Sequence, residues 1–299
     1  MKIFLTGGTG FIGSYAAAAL LKAGHSLSIL ARNPQKLPVL AEQPGVDIIK
    51  GSLTDFDIVA QGVKNKDAVI HVALGWGDTP VEMLKNDTLP SVFLMQQAQA
   101  DGVKHFIYTS STAALGWLSA DVDEESKTKP VDYYGATKAS SENFLLAAAF
   151  RSSMRANVIR PGYTFGNPVM EGATTQPDRR FHEIAAAAVR GEDITVIKYD
   201  GTQFIQAADL AQVYLSVLES EVNRQIYLGL GREFITWEEI AVEAISLSGS
   251  KSRIILQDQG YSANPFYYRV NKIAHDFNLE FTARDKITAH LQYLCGLEK

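Results

Sequence analysis

The chain has 299 residues, of which 46% are hydrophobic, 20% charged and 10% aromatic, with a formal net charge of −5. This composition excludes a disordered, collagen-like or coiled-coil chain, and the negative charge argues against a nucleic-acid-binding surface. The single cysteine, Cys295, excludes an intrachain disulfide and a cysteine-based zinc site. Because the sequence shows neither a signal peptide nor an apolar run long enough to span a bilayer, we expect a cytoplasmic protein.

Short apolar runs alternate with helical stretches over the first part of the chain. The predicted strands are Lys2–Thr6, Ser26–Ala31, Val46–Lys50, Asp67–Val72, Lys104–Thr109 and Ala156–Arg160. The predicted helices are Phe11–Ala23, Pro34–Gln43, Asp55–Gln61, Val81–Ala100 and Tyr133–Phe150. This alternation predicts an α/β fold with a Rossmann-type, doubly wound parallel sheet and helices on both faces.

The pattern loosens after Pro161-Gly162, where residues 163–180 are rich in Gly, Pro, Thr and Asn and predict a long loop. Further helices are predicted at Arg179–Arg190, Ala207–Glu219, Trp237–Leu247 and Thr282–Cys295, and further strands at Ile194–Ile197, Gln225–Leu228 and Arg253–Leu256. We therefore expect a first domain over residues 1–162 and a smaller lobe over residues 163–299. Some segments of the second half, such as residues 194–220, are expected to return to the first domain.

A glycine-rich loop follows the first predicted strand and opens a helix. Gly8, Gly10 and Gly13 fit the pattern G-x-G-x-x-G, and Gly7, Gly10 and Gly13 fit a wider variant. Such glycines allow a tight turn, a close approach to a pyrophosphate and close packing of helix on strand, while the helix N-terminus offers N–H groups to the anion. Residues 1–162 are therefore predicted to bind a dinucleotide, and a tight turn without a ligand is the alternative.

The end of the second predicted strand bears on the choice of dinucleotide. NAD-binding loops place an acidic residue about 20 residues further on to hold the ribose hydroxyls, yet no Asp or Glu occurs between Gly13 and Glu42. Instead, Arg32 follows the strand and Lys36 lies one turn later. These cations favour a 2′-phosphate, so we predict NADP, with NAD as the alternative cofactor. An ordinary surface charge is the alternative interpretation of Arg32.

Tyr134 and Lys138 are four residues apart and share one face of a predicted helix. A phenol with its ordinary pKa of about 10 is a poor base at neutral pH, and a neighbouring ammonium lowers a phenol's pKa. Such a pair can transfer a proton while a hydride moves. Tyr133 is a weaker candidate because Thr137, its partner at the same spacing, is uncharged. A purely structural role for both residues is the alternative.

Hydroxyl residues follow the fifth predicted strand, from Thr109 to Thr112. Ligands of open α/β sheets bind at the carboxyl ends of the strands, and a hydroxyl there can stabilise an oxyanion. A polar turn is the alternative.

Together these residues resemble the extended short-chain dehydrogenases/reductases, also called the NAD-dependent epimerase/dehydratase family. The resemblance rests on Gly7–Gly13, Ser111, Tyr134, Lys138, Asn86 and Arg160-Pro161-Gly162, and it covers roughly residues 1–220. It implies that Ser111, five residues before Gly116, is a catalytic hydroxyl, that Tyr134 is the acid/base, and that Lys138 binds the ribose. The stretch Tyr108–Gly116 also resembles the dihydroflavonol-reductase-like branch of this family, which reduces ketones with NADPH.

The resemblance also implies a set of cofactor contacts. They are Gly7, Gly10, Phe11, Ile12, Gly13, Arg32, Ser52, Leu53, Val72, Ala73, Asn86, Lys138 and Pro161.

The sequence departs from the family pattern at three places. Ser52 stands where the family often has an Asp that holds adenine. Thr112-Ala113 replace the Asp-Glu pair of the 4,6-dehydratases, and Thr202-Gln203 replace an Arg that binds the diphosphate of nucleotide sugars. Dehydration and a nucleotide-sugar substrate therefore lose support.

Aromatic residues are expected to line the substrate site, which suits an apolar carbonyl or alcohol. They are Trp76, Trp117, Tyr163, Phe165, Phe181, Phe266 and Tyr267, with packing between lobes as the alternative for each.

We therefore predict an oxidoreductase that transfers hydride between NADP(H) and a small-molecule carbonyl or alcohol. The alternatives are a sugar or sugar-nucleotide epimerase and a non-catalytic regulator that senses NADP. The resemblance further suggests a homodimer through the helices with Asn86 and Tyr134, and no metal site is predicted.

Overall fold

The computed structural model describes residues 1–298. Its strands are β1 Lys2–Thr6, β2 Ser26–Ala31, β3 Val46–Lys50, β4 Ala68–His71, β5 His105–Thr109, β6 Arg155–Pro161, β7 Tyr163–Phe165, β8 Ile194–Ile197, β9 Gly201–Gln206, β10 Ile226–Gly229, β11 Phe234–Thr236 and β12 Ile254–Gln257. Its helices are α1 Phe11–Lys22, α2 Pro38–Ala41, α3 Phe56–Val63, α4 Pro80–Met83, α5 Leu89–Ala100, α6 Tyr133–Phe150, α7 Arg180–Arg190, α8 Ala207–Glu219, α9 Trp237–Ser248, α10 Asn271–Phe277 and α11 Arg284–Leu297. Within the described residues, no helix combines the length and apolar character needed to cross a membrane.

A seven-stranded sheet runs through the molecule in the order β3-β2-β1-β4-β5-β6-β10. Its strand pairs are all parallel, and Thr6 at the end of β1 is level with Leu30 of β2 and His71 of β4. The strand order reverses between β1 and β4, where open α/β sheets bind ligands at the carboxyl ends of the strands. The predicted Rossmann-type fold is confirmed.

Alternate residues of β1 face opposite sides of this sheet. Ile3 and Leu5 join a core with α1 and α8, whereas Phe4 joins a core with α3, α5 and α6. All three side chains are completely buried. Burial on both faces explains why the central strands read as continuous apolar runs in the sequence.

The smaller lobe has its own apolar core. It is built from the three-stranded sheet β11-β9-β7, the β12-β8 pair and the helices α7, α9 and α11. The chain also returns to the main sheet, because α8 packs on α1 and β10 pairs with β6. Residues 194–220 are thus divided: β8 and β9 lie in the two small sheets of the lobe, whereas α8 packs on α1. Strand β7 begins where the sequence predicts only a loop, because its partner β9 was not recognisable as a strand.

Candidate functional site

The glycine loop packs so closely that at two of its glycines, Gly7 and Gly13, a side chain would collide with backbone. A Cβ on Gly13 would lie 2.0 Å from the carbonyl oxygen of Gly7, and a Cβ on Gly7, which has φ +76°, would lie 2.6 Å from the nitrogen of Ala73. No side chain caps the N-terminus of α1. The loop therefore leaves the N-terminal end of α1 open to an anion such as a pyrophosphate.

A cleft of about 630 Å³ extends from this loop along the carboxyl ends of the strands. The predicted cofactor contacts that line it are Gly7, Gly10, Phe11, Ile12, Gly13, Arg32, Ser52, Leu53, Val72, Ala73, Asn86, Lys138 and Pro161. Ser111, Tyr134 and Trp76 line the same cleft. The structure thus brings together at one site every residue predicted to bind the cofactor or to act in catalysis.

The start of α6 sits tightly against the turn that follows Ser111. Asp132 caps this helix by accepting a 2.6 Å hydrogen bond from the backbone N–H of Gly135. A Cβ on Gly135 would lie 2.4 Å from the carbonyl oxygen of Ala113. Because this contact requires a glycine, helix and turn approach closely enough for Tyr134 and Ser111 to face one cleft. The hydroxyl of Ser111 accepts a 3.1 Å hydrogen bond from the backbone N–H of Ala113.

Lys138 is buried beneath Tyr134, and its charge is compensated. Its ammonium lies 3.3 Å from the carboxylate of Asp87 and 5.6 Å from the centre of the Tyr134 ring. Burial by itself lowers the pKa of Lys138, but Tyr108 and the Asp87 carboxylate outweigh burial and raise it. Lys138 is therefore a cation throughout the neutral pH range, and it can serve as a fixed positive charge beside Tyr134.

Other aromatic residues predicted at the substrate site do not line the cleft. Trp117 is 86% exposed, whereas Phe165 and Phe181 are completely buried in the core of the smaller lobe. Tyr163 packs edge-on against Phe204 and Trp237. Phe266 and Tyr267 are exposed outside the cleft lining. Trp76 alone of this set borders the cleft, with its ring centre 6.4 Å from that of Tyr134.

Tyr133 and Tyr134, the two neighbouring tyrosines considered as acid/base, differ in position. Tyr133 is 56% exposed and lies outside the cleft lining, whereas Tyr134 borders it. Of the two tyrosines, Tyr134 is therefore the one that shares the cleft with Lys138, as the four-residue spacing between them predicts.

Sequence reasoning missed Asp87. The residue is completely buried and pairs with Lys138. It lies in a π-helical segment, Leu84–Thr88, between α4 and α5, where the sequence predicts one regular helix. The sequence signal was weak, because Asp87 lies in a polar stretch that also contains Glu82, Lys85 and Asn86.

A sequence model of the NAD dependent epimerase/dehydratase family matches residues 3–229. The chain belongs to this family. The family prediction is thereby confirmed, and the match covers the main sheet up to the end of β10.

Two curated relatives of this epimerase/dehydratase chain differ in the chemistry that their names state. A 3 beta-hydroxysteroid dehydrogenase/Delta 5-->4-isomerase of Mycobacterium tuberculosis is 31% identical over 182 residues, which cover 56% of this chain and 48% of that protein. A UDP-glucose 4-epimerase of Corynebacterium glutamicum is 25% identical over 254 residues, which cover 77% of this chain and 75% of that protein. The chain thus spans about half the length of the steroid dehydrogenase.

The family fold is also seen in a solved structure. UDP-glucuronic acid 4-epimerase from Bacillus cereus in complex with NAD superimposes with a TM-score of 0.85 over 100% of both chains, at 20% sequence identity. This likeness shows that the smaller lobe as well as the main sheet shares the fold of that epimerase.

Proposed function

We propose that this epimerase/dehydratase family member is an NADP-dependent oxidoreductase that transfers hydride between the cofactor and a carbonyl or alcohol. The observation that carries the proposal is that Ser111, Tyr134 and Lys138 line the same cleft as the glycine loop. An open helix N-terminus, glycines that admit a close ligand and a buried lysine are the features that a dinucleotide requires.

When bound, NADPH supplies a hydride to the carbonyl carbon of the substrate. In the proposed reduction, Tyr134 donates its phenolic proton to the carbonyl oxygen, which completes the alcohol. Ser111 donates a hydrogen bond to the same oxygen and stabilises the negative charge that develops there. Lys138 holds the cofactor ribose and maintains a positive charge beside the phenol. In the oxidation direction, Tyr134 takes up the proton instead.

The adenosine end of the cleft supports NADP over NAD. Arg32 and Lys36 both border it, and none of its lining residues within the described chain is an Asp or Glu. A ribose that carries a 2′-phosphate would therefore find two cations and no carboxylate among the described residues that line the cleft. Arginine pairs with phosphate through charge-assisted hydrogen bonds, which are stronger than those to a ribose hydroxyl.

Arg32→Ala is expected to raise the Kd for NADPH at least about tenfold, because a hydrogen bond to a charged group contributes about 1.5–3 kcal/mol. The Kd for NADH should change less than about twofold, since NADH lacks the phosphate. Fluorescence titration of both cofactors measures these constants. Arg151→Ala, at an exposed arginine after α6 and outside the cleft lining, is the matched control. Equal losses for the two cofactors, or tighter binding of NADH by the unaltered protein, would contradict the proposal.

An apolar carbonyl or alcohol is the proposed substrate class, in line with the dihydroflavonol-reductase-like resemblance. Trp76 presents a 62% exposed indole at the cleft beside Tyr134, and an apolar substrate would cover that ring. Gln203, near the position where nucleotide-sugar enzymes carry an arginine, is buried and donates hydrogen bonds to the carbonyl oxygens of Gly231 and Tyr268. Its amide is thus occupied in holding two loops together. The steroid named for the Mycobacterium tuberculosis relative belongs to the same apolar class.

An epimerase is the second candidate, favoured by the Corynebacterium glutamicum relative, which matches 77% of this chain. A panel of ketones, alcohols and sugar nucleotides assayed for net consumption of NADPH separates the two functions, because an epimerase regenerates its cofactor. We expect net consumption with an apolar ketone. Isomerisation of a sugar nucleotide without net consumption would overturn the reductase proposal.

We also propose a homodimer through the helices around Asn86 and Tyr134. The supporting observation is a group of exposed apolar and aromatic side chains on α4, the π-helical segment, α5 and α6. They are Val81, Leu84, Leu89, Tyr133 and Phe144, each more than half exposed. Exposed apolar side chains grouped in this way are typical of association surfaces. Light scattering of the purified protein tests the proposal, and a monomer mass would refute it.

A further inference from the structure

Asp87 is a buried charge to which the proposed chemistry assigns no role. Its side chain is completely buried, and Lys138 is 2% exposed. One carboxylate oxygen, Oδ2, lies 3.3 Å from the Lys138 ammonium. Because removing two charges from water costs several kcal/mol per ion, such a pair persists only where its geometry and hydrogen bonds compensate.

The π-helical segment gives Asp87 a fixed position with two different partners. While Oδ2 faces Lys138, Oδ1 accepts a 3.1 Å hydrogen bond from the backbone N–H of Gly75. The backbone carbonyl of Asp87 accepts a 2.6 Å hydrogen bond from the hydroxyl of Ser91. π-helical segments are rare and are often found at functional sites. Here the segment directs a carboxylate at the lysine of the cleft.

The other titratable groups around Lys138 are Tyr134 of its own helix, α6, and one group from each of three neighbouring elements. These are His71 of β4, Tyr108 of β5 and Tyr214 of α8. Burial, with the Lys138 charge, lowers the pKa of His71 to about 3, and burial raises the pKa of Tyr108 to about 12. Burial also raises the pKa of Tyr214. His71, Tyr108 and Tyr214 are therefore uncharged near neutral pH, so Asp87 is the counter-charge of Lys138.

We propose that Asp87 is a positioning residue that acts through Lys138. It holds the ammonium in place beside Tyr134 and offsets part of the positive field that Lys138 exerts on the phenol. Asp87 thereby sets the pH range over which Tyr134 keeps its proton. This inference rests on the proposed function, because it assigns Tyr134 as the proton donor.

Asp87→Asn keeps the shape of the side chain and the acceptor for the N–H of Gly75, but removes the charge. Without the carboxylate, Lys138 favours the phenolate of Tyr134 more strongly. We expect the phenolate titration of cofactor-free protein, followed by ultraviolet absorbance, to move about one unit to lower pH. Tyr134→Phe protein supplies the baseline for the other tyrosines. The basic limb of the pH profile of kcat/KM should move in the same direction, and kcat should fall about tenfold.

Lys138→Met tests whether Asp87 acts through the lysine. In that background, the buried carboxyl group of Asp87 has no cation beside it and should take up a proton, so Asp87→Asn removes no charge and should leave the phenolate titration unchanged. The double variant should also unfold at a higher temperature than Lys138→Met alone, because folding of Lys138→Met withdraws an unpaired carboxyl group from water. If Asp87→Asn does not fold by itself, the comparison of the double variant with Lys138→Met still tests the inference. A shift of the Tyr134 phenolate titration between these two proteins would show that Asp87 acts on Tyr134 directly, and it would overturn the inference.

Asp209→Asn is the matched control, since Asp209 also pairs with a lysine, Lys286, and lies outside the cleft lining. It should leave the phenolate titration of Tyr134 in place. A uniform loss of activity in Asp87→Asn, with both pH curves unmoved, would reduce Asp87 to a structural role. Absence of Tyr134-dependent turnover in the unaltered protein would instead refute the proposed function, while the titration of the cofactor-free protein would still decide the role of Asp87.

Discussion

Tyr134→Phe is expected to lower kcat/KM for an apolar ketone by about 10²–10⁴-fold, the contribution typical of a positioned acid or base. The substitution removes one hydroxyl and keeps the ring that faces Trp76. Since the cofactor contacts lie elsewhere in the cleft, the Kd for NADPH should change less than about threefold. Turnover is followed by the loss of NADPH absorbance, and affinity by fluorescence titration.

Tyr133→Phe is the control for this experiment. It makes the same chemical change one residue earlier, at a side chain that is 56% exposed and outside the cleft lining, so activity should be retained. If Tyr134→Phe kept more than about a tenth of the activity, another group would be the proton donor. If the unaltered protein bound NADPH but turned over no substrate of the panel, the regulator that senses NADP would become the better interpretation.

The main sheet was predictable from the sequence because the signals for its strands lie within short stretches of the chain. Each central strand is buried on both faces and reads as an apolar run, and the glycine loop marks the point where β1 passes into α1. The smaller lobe carries weaker signals. Strands β7 and β11 have three residues each and are held by β9, a partner distant in sequence. Such strands depend on long-range pairing, which periodicity does not reveal.

The position of Tyr134 and Lys138, the proposed proton donor and its neighbouring cation, in one cleft was predictable for a similar reason, since they are one helical turn apart. Asp87 was not, because its role depends on a π-helical segment and on a contact with a helix about 50 residues further along the chain. The aromatic residues show the opposite error. Phe165 carries the right chemistry for an apolar pocket, but it is completely buried in the smaller lobe. Residue type alone does not distinguish a pocket wall from a core.

Gly13→Ala is expected to weaken NADPH binding at least about a hundredfold, which equals the loss of two hydrogen bonds to phosphate at about 1.5 kcal/mol each. The added methyl carbon would lie 2.0 Å from the carbonyl oxygen of Gly7. Both groups in this contact are attached to backbone, so no side chain can rotate away and the loop itself must move. The same carbonyl accepts the N–H of Gly10 at 2.9 Å, and the displacement therefore spreads through the turn that faces the anion.

Thermal unfolding and NADPH titration together separate the two consequences of Gly13→Ala. We expect stability to fall by about 1–3 kcal/mol, as for other overpacked sites, in addition to the loss of affinity. Gly296→Ala is the matched control, because a Cβ there meets no atom within 4 Å in α11. That variant should be stabilised by at most about 1 kcal/mol, since alanine favours helix, and it should bind NADPH normally. If Gly13→Ala lost stability but kept its affinity, the loop would be a tight turn rather than the phosphate cradle on which the proposed function depends.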